Sequence, residues 1–214
     1  MIDFSKAKKT EEGYLVSSGE AEQGVKPGSR FSNYQIDQYV FAVSKCKNYR
    51  RALDIGACYG IMSIRMANDF VHVESFEPLW YEFLEHNTAN QVNIHKCALG
   101  KHAQTVTMRV GLYNSGGSNV TSKQVANEHY QLVDMKTLDS FEFTDVDFVK
   151  MDVEGHEWPV IEGGLETFKQ CNVFMVEINR GAPNRKEIYD YFKNRGFIYQ
   201  EFKSDVVFWK KEGK

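Results

Sequence analysis

The chain has 214 residues, of which 42% are hydrophobic, and its formal net charge is −3 at pH 7. This length predicts one domain with a substantial core, and the nearly balanced charge argues against a nucleic-acid partner. The four cysteines are far apart and lack metal-ligand spacing, which is typical of reduced intracellular thiols. Because no apolar run reaches the ~18 residues of a membrane span, and the first residues lack the apolar core of a signal peptide, we expect a cytoplasmic protein without a membrane partner.

The order of the predicted elements indicates an α/β fold. Residues 1–32 are polar and contain several glycines, which predicts an N-terminal arm or lid, and residues 33–214 form the single domain. The elements predicted within that domain are helix 33–46, strand 51–56, a helix from about residue 61, strand 72–77, helix 78–90, strands 93–99, 105–111 and 146–153, helix 157–169, strand 172–178, helix 184–195 and strands 197–202 and 206–210. The repeated β-α-β order predicts a Rossmann-like, three-layer αβα fold with a mainly parallel sheet and a C-terminal antiparallel hairpin.

The first predicted strand of this domain ends in a glycine turn, within the stretch LDIGACYG. Ligands of parallel sheets bind beyond the carboxyl ends of the strands. Gly56 and Gly60 permit a close approach of a ligand to the backbone, and the helix that follows offers free N–H groups to an anion. The G-x-x-x-G spacing, with Cys58 in the middle, differs from the G-x-G-x-x-G spacing of a dinucleotide site.

Glu77 ends the second predicted strand, in the stretch SFEP. A carboxylate at this position can accept hydrogen bonds from both hydroxyls of a ribose. Together with the glycine turn, Glu77 predicts a nucleoside ligand that carries a carboxylate or a phosphate. The alternative is that the two glycines only shape the turn between a strand and a helix.

Six short motifs follow one another between residues 53 and 155. They are LDIGA (53–57), FEP (76–78), ALG (98–100), NSGGS (114–118), LDSF (138–141) and DFVKMDVEG (147–155). In these motifs and in their order the chain resembles the FkbM family of S-adenosylmethionine-dependent methyltransferases. The resemblance implies a class I methyltransferase fold with seven strands in the order 3-2-1-4-5-7-6. It also implies O-methylation, with S-adenosyl-L-methionine as methyl donor and a hydroxyl of a sugar, glycan or small metabolite as acceptor.

The resemblance further implies which residues bind the cofactor. It places Asp54, Gly56 and Ala57 near the methionyl part. It places Glu77 on the ribose, and residues 98–99 beside the adenine. The predicted cofactor-binding residues are Asp54, Gly56, Ala57, Cys58, Gly60, Glu77, Ala98 and Leu99. Family members commonly have Asn at the position of Cys58.

The candidate catalytic residues are four polar side chains at two later strand ends. If the cofactor lies across the first three strands, the acceptor lies over strands four and five, which end in Asp152 and Glu177. Glu154 and His156 follow Asp152 closely. A general base accelerates methylation of an aliphatic hydroxyl by ~10²–10⁴-fold, because that hydroxyl is scarcely ionised at neutral pH. We predict that Asp152 orients donor and acceptor and that His156 or Glu177 takes the proton. Capping of the next helix by Asp152 and Glu154 is the alternative.

Other functions fit parts of the sequence. Some O-methyltransferases use Mg²⁺, but the spacing does not predict a compact carboxylate cage and His is a poor Mg²⁺ ligand, so we predict no metal. The sequence contains no Pro-Pro pair and no Pro-Cys pair, which argues against the methylation of nucleic-acid bases. A nucleotide-binding dehydrogenase and a non-catalytic binding module on the same fold are the alternatives. The acceptor and the oligomeric state are left open.

Overall fold

The structure is a computed structural model that describes residues 2–22 and 33–211. Residues 23–32 of the predicted N-terminal arm lie outside the described residues. None of the helices in the described ranges is long and apolar enough to cross a membrane.

The described residues form strands, α-helices and short 3-10 turns. The strands are β1 (Lys8–Lys9), β2 (Leu15–Val16), β3 (Arg51–Ile55), β4 (His72–Phe76), β5 (Asn93–His95), β6 (Ala98–Leu99), β7 (Gln104–Val110), β8 (Asn119–Val120), β9 (His129–Lys136), β10 (Val146–Met151), β11 (Val173–Glu177), β12 (Phe197–Phe202) and β13 (Asp205–Lys210). The α-helices are α1 (Ser18–Glu22), α2 (Ile36–Val43), α3 (Ile61–Asp69), α4 (Tyr81–Thr88), α5 (Glu157–Glu162), α6 (Leu165–Gln170) and α7 (Arg185–Lys193).

A seven-stranded sheet in the order β5-β4-β3-β10-β11-β13-β12 forms the centre of the domain. Its first five strands are parallel, and the β12–β13 hairpin adds two antiparallel strands at one edge. Numbered along the chain, these strands follow the order 3-2-1-4-5-7-6. The predicted α/β fold, with a mainly parallel sheet and a C-terminal hairpin, is therefore confirmed.

Helices cover both faces of this sheet. Every residue of β10 is buried, as expected for a central strand between two helical layers. Alternate residues of β10 join different hydrophobic clusters: Val149 and Met151 pack with residues of α5, α6 and α7, whereas Phe148 packs with residues of α2 and α3. This alternation produces the three-layer αβα arrangement.

A second, four-stranded sheet in the order β6-β9-β7-β8 lies outside the main sheet. The predicted strand 93–99 is wrong as one element, because the Cys97 amide bonds to the His95 carbonyl at 2.9 Å and the chain turns there. Its first part, β5, stays in the main sheet, and its second part, β6, pairs with β9. Strand β9 was not among the predicted elements.

The predicted helix 157–169 is also divided, into α5 and α6 at Gly163–Gly164. A Cβ atom on Gly163 would collide with the carbonyl oxygen of Gly100, so the helix backbone packs directly against the ALG turn. Such close contact between two backbones requires glycine. The break therefore positions the ALG turn beside the end of α5.

Residues 2–22 of the N-terminal arm pack on the domain. Strand β2 is held by Asn87, whose side chain accepts from the Leu15 amide at 2.7 Å and donates to the Leu15 carbonyl at 3.0 Å. Val16 is fully buried, in a cluster with Tyr59 and Trp80. This cluster connects the arm to α4 and to the second sheet.

Candidate active site

A cavity opens at the carboxyl ends of β3, β4, β10 and β11. Its wall contains most of the predicted site residues: Gly56, Ala57, Cys58, Glu77, Ala98, Leu99, Asp152, Glu154, His156 and Glu177. Asp54 and Gly60 lie behind this wall. The cavity therefore extends continuously from the predicted cofactor residues to the predicted catalytic residues.

Glu77 is buried at the end of β4, where backbone amides surround its carboxylate. Its Oε2 accepts from the Cys58 N–H at 2.8 Å, and its Oε1 accepts from the Leu79 and Trp80 N–H groups at 2.8 and 3.0 Å. Burial raises the pKa of Glu77, and these amides oppose that shift. Oε1 already accepts from two amides, so the acceptor capacity that remains for a ligand donor lies on Oε2.

Asp54 lies in β3, directly before the glycine turn. It is completely buried, and its Oδ2 accepts from the Ser63 hydroxyl at 2.6 Å. The Lys150 Nζ lies 3.7 Å from Asp54 Oδ1 and 3.5 Å from Asp152 Oδ2, and it donates to the Gly56 carbonyl at 3.3 Å. Burial lowers the pKa of Lys150, but the charges of Asp152 and Asp54 outweigh this effect and the net shift is upward. Lys150 therefore pairs with both carboxylates.

The glycine turn depends on backbone conformations that favour glycine. Gly56 has φ +83°, and a Cβ atom there would collide with the carbonyl oxygen of Asp152. Gly60 has φ +84° and faces Leu84. Cys58 adopts φ +49°, which is unusual for a residue with a side chain. The turn is thus packed tightly against the end of β10.

Asp152, Glu154 and Glu177 form one acidic group in the cavity. One carboxylate oxygen from each lies within 4.8 Å of the others, a closer arrangement than the sequence spacing predicts. The Tyr34 hydroxyl donates to Asp152 Oδ2 at 3.4 Å. These three carboxylates are also the described residues that could hold a metal ion, although the Lys150 ammonium already lies beside Asp152.

Two carboxyl groups of this acidic group, Glu177 and Glu154, have raised pKa values. Burial, followed by the charge of Asp152, raises the pKa of Glu177 to about 9. The same two causes raise the pKa of Glu154 to about 7. At neutral pH Glu177 therefore carries a proton, whereas Glu154 is close to the midpoint of its titration.

The turn that carries Glu154 has a strained backbone. Glu154 has φ +53° and Gly155 has φ +94°, and a non-glycine residue in this region costs ~1 kcal/mol. The amides of Val153 and Gly155 donate to Glu157 Oε1 at 3.3 and 3.0 Å. Glu157, not Asp152 or Glu154, therefore satisfies the backbone at the start of α5, and this leaves Glu154 directed into the cavity.

His156 lies apart from the acidic group, beside the ALG turn. Its Nε2 is buried and has no hydrogen-bond partner among the described residues, and a Cβ atom on Gly100 would lie 3.1 Å from it. Burial lowers the pKa of His156, so the imidazole is neutral at pH 7. The structure thus brings together three of the four candidate catalytic residues.

Several cavity residues were not predicted from the sequence. Tyr34 lines the cavity from the segment before α2, and Glu20 lines it from the N-terminal arm. Ser115 also lines it, within the NSGGS motif that contributed to the family resemblance. That motif could have indicated Ser115, whereas Glu20 lies in a polar segment without any recognised pattern.

The cavity combines features that suit a nucleoside ligand with a positive centre. A buried carboxylate, Glu77, stands at one end, apolar residues such as Phe76 and Leu99 form a wall, and carboxylates stand at the other end. The sheet order and the position of this cavity match the class I methyltransferase fold that the sequence resemblance implies.

The chain belongs to the FkbM methyltransferase family, because residues 54–199 match the family described as "Methyltransferase FkbM domain". This membership confirms the resemblance and gives no support to the dehydrogenase alternative. No protein of curated function matches the sequence.

Two solved structures show the likeness in fold. Methyltransferase FkbM from Methylobacillus flagellatus KT is 16% identical with a TM-score of 0.52, over 75% of this chain and 43% of that chain. The present chain thus spans less than half the length of that protein. An rRNA methylase from Streptococcus thermophilus is 9% identical with a TM-score of 0.52, over 82% of this chain and 95% of that chain. At these identities the two structures share the fold.

Proposed function

We propose that the protein is an S-adenosyl-L-methionine-dependent O-methyltransferase that acts on a hydroxyl of a sugar, a glycan or a small metabolite. The observation that carries this proposal is the single cavity that connects Glu77 to the group formed by Asp152, Glu154 and Glu177. In this proposal residues 33–214 form the methyltransferase domain, and the N-terminal arm contributes Glu20 to the wall of the cavity.

The residues present fit the proposed cofactor. Glu77 is held by three amides and retains acceptor capacity on Oε2 for a ribose hydroxyl. Ala98 and Leu99 offer an apolar surface to the adenine, and the turn at residues 56–58 would hold the methionyl part. When bound, the cofactor supplies a methyl group on a positively charged sulfur. The carboxylates beside the turn stabilise such a charge.

Glu154 is the general base in this proposal. A base works best when its pKa is close to the working pH, and the pKa of Glu154 is raised to about 7, first by burial and then by Asp152. Glu177, one of the two bases expected from the sequence, holds its proton at neutral pH because burial raises its pKa to about 9. His156, the other, lies beside Gly100. Asp152, held by Lys150 and Tyr34, orients the acceptor.

The charges along the cavity support an acceptor without phosphate groups. Among the described residues that line it, Lys150 is the only lysine or arginine. Asp54 and Asp152 flank its ammonium group, so it is not free to bind a phosphate. A phosphate near Glu154 and Asp152 would meet like charges. We therefore propose a sugar or a small metabolite as acceptor in preference to nucleic acid.

A mass-spectrometric screen tests this function. Candidate saccharides and metabolite extracts are incubated with the protein, with and without S-adenosyl-L-methionine, and searched for the gain of one methyl group. We expect a methylated product with the wild-type protein, only when the cofactor is added, and a strongly reduced yield with Glu154→Gln. Calorimetry that detects NADH binding but no S-adenosyl-L-methionine binding would overturn the proposal.

A further inference from the structure

The N-terminal arm contacts the loop that contains the NSGGS motif. The Ser17 hydroxyl donates to the Leu112 carbonyl at 3.4 Å, and the Ser17 amide donates to the Tyr59 hydroxyl at 3.2 Å. A Cβ atom on Gly19 would collide with the Leu112 carbonyl oxygen. The backbones of the arm and the loop therefore pack against each other without an intervening side chain.

Glu20 forms the central contact between these two segments. It is 1% exposed and lines the cavity. Its Oε2 accepts from the Ser115 amide at 2.9 Å and from the Ser115 hydroxyl at 3.2 Å. Ser115 is also buried. A buried carboxylate requires such donors, because burying a charge without hydrogen bonds is costly.

Hydrogen bonds continue from this contact to the proposed ribose site. The Cys58 thiol donates to the Ser115 hydroxyl at 3.4 Å, and the Cys58 amide donates to Glu77. On the other side of the loop, the Trp80 indole donates to the Ser118 hydroxyl at 3.3 Å. The loop is thus fastened to Glu20 at Ser115 and to the segment after Glu77 at Ser118.

We propose that Glu20 is a positioning residue for the cofactor, which it serves by holding the 111–118 loop closed over the glycine turn. This inference rests on the proposed function, since it concerns the same cavity. It assigns a role to the N-terminal arm, which lies outside residues 54–199 that match the family. In this proposal the arm contributes to the cofactor site from outside the residues that match the family domain.

Calorimetric titration of S-adenosyl-L-methionine and of S-adenosylhomocysteine into the full chain tests this role. We expect Glu20→Ala to raise the Kd by about tenfold, through the lost hydrogen bonds of a charged group. Glu20→Gln keeps an acceptor oxygen and should stay within about threefold of the wild type. Glu11→Ala, at an exposed position of the same arm, is the matched control and should leave the Kd unchanged.

A double-mutant cycle separates positioning from general loss of stability. If Glu20 acts through Ser115, the combined effect of Glu20→Ala and Ser115→Ala on the Kd should be smaller than the sum of the two single effects, because both changes remove the Glu20–Ser115 hydroxyl bond. Hydrogen exchange of residues 111–118 provides a second readout. The cofactor should protect this loop in the wild type and protect it less in Glu20→Ala.

Each outcome decides the proposal. An unchanged Kd in Glu20→Ala, or additive effects in the cycle, would overturn the role of Glu20 while the proposed function stands. A wild-type protein that binds neither ligand would overturn the proposed function itself. Where Glu20→Ala does not fold, Gly19→Ala and Ser115→Ala replace it, and unchanged affinity in both variants overturns the role of Glu20.

Discussion

The backbone N–H of Cys58 donates to Glu77 Oε2 at 2.8 Å, and this bond joins the turn after β3 to the carboxylate after β4. The other carboxylate oxygen of Glu77 binds the amides of Leu79 and Trp80. These bonds fix the ends of β3 and β4 relative to each other without a bound ligand. Such preorganisation reduces the ordering that binding would otherwise require.

Replacement of Glu77 by alanine should weaken binding of S-adenosyl-L-methionine by about 1.5–3 kcal/mol, the usual range for hydrogen bonds to a charged group. The physical reason is the loss of the acceptor for a ribose hydroxyl, together with three buried amides left without partners. Isothermal calorimetry measures the effect. Glu82→Ala, an exposed glutamate of α4, is the control, and equal affinity of both variants would remove Glu77 from the site.

Glu154→Gln should lower kcat by ~10²-fold or more, because the amide cannot accept the hydroxyl proton. In the wild type, kcat/KM should rise with pH through about 7, since burial and Asp152 raise the pKa of Glu154 to about 7 and the base works deprotonated. The residual activity of Glu154→Gln should lack this rise. A pH–rate profile checks both. A rise that persists in Glu154→Gln but disappears in His156→Ala would assign the base to His156.

The protein should become less stable as pH rises from about 6 to about 9. Burial and Asp152 raise the pKa of Glu177 to about 9 in the folded state, against ~4.3 in an unfolded chain. Between these values the folded state binds more protons, so this stabilising contribution is complete below the unfolded pKa and is lost as pH rises through the folded pKa. Glu154, with a pKa of about 7, acts in the same direction.

Thermal unfolding across this pH range measures the effect, and Glu177→Gln should show a flatter dependence of Tm on pH. The variant removes the carboxyl group whose pKa burial and Asp152 raise to about 9, and it keeps nearly the same side-chain shape. An equally steep dependence in Glu177→Gln would contradict the assignment.

Lys150→Met should destabilise the fold by about 3–5 kcal/mol, the cost of breaking a buried ion pair by removing one partner. Lys150 is 4% exposed and Asp54 is fully buried, so solvent cannot replace the missing charge. Denaturant unfolding measures the loss. Adding Asp54→Asn should restore part of the stability, and no recovery in the double variant would show that Lys150 acts through other contacts.

Activity should survive EDTA. The group formed by Asp152, Glu154 and Glu177 is compact, but the Lys150 ammonium lies 3.5 Å from Asp152 Oδ2 and provides a positive charge there. Glu177 is also protonated at neutral pH, because burial raises its pKa to about 9. Complete loss of activity with the chelator, restored by Mg²⁺ or Mn²⁺, would make the three carboxylates metal ligands.

The main sheet could be predicted because four of its five parallel strands, β3, β4, β10 and β11, are short apolar runs each followed by a helix, and because the family motifs mark the strand ends. The second sheet could not. In β9 only alternate residues, Val133 and Met135, are buried, while Leu132 is 69% exposed. This alternation stands within a polar stretch, and β9 gains its partner β6 only because the chain turns after His95.

The candidate site was predictable in part for a similar reason. Residues at strand ends, such as Glu77 and Asp152, follow from the topology of a parallel sheet. The proximity of Glu154 to Glu177 depends on a positive φ at Glu154, which no sequence pattern indicated. The contact between Glu20 and Ser115 joins residues that are 95 positions apart, and local reasoning cannot anticipate such a pair.

The packing of Gly56 against the Asp152 carbonyl sets a condition for recombining this chain with its relatives. A hybrid whose crossover point lies between residues 56 and 152 takes the glycine turn from one parent protein and the end of β10 from the other. Because a side chain at position 56 would collide with that carbonyl, such a hybrid folds only when both parents keep the same register between β3 and β10. Exchanges that retain residues 56–152 from a single parent avoid this condition.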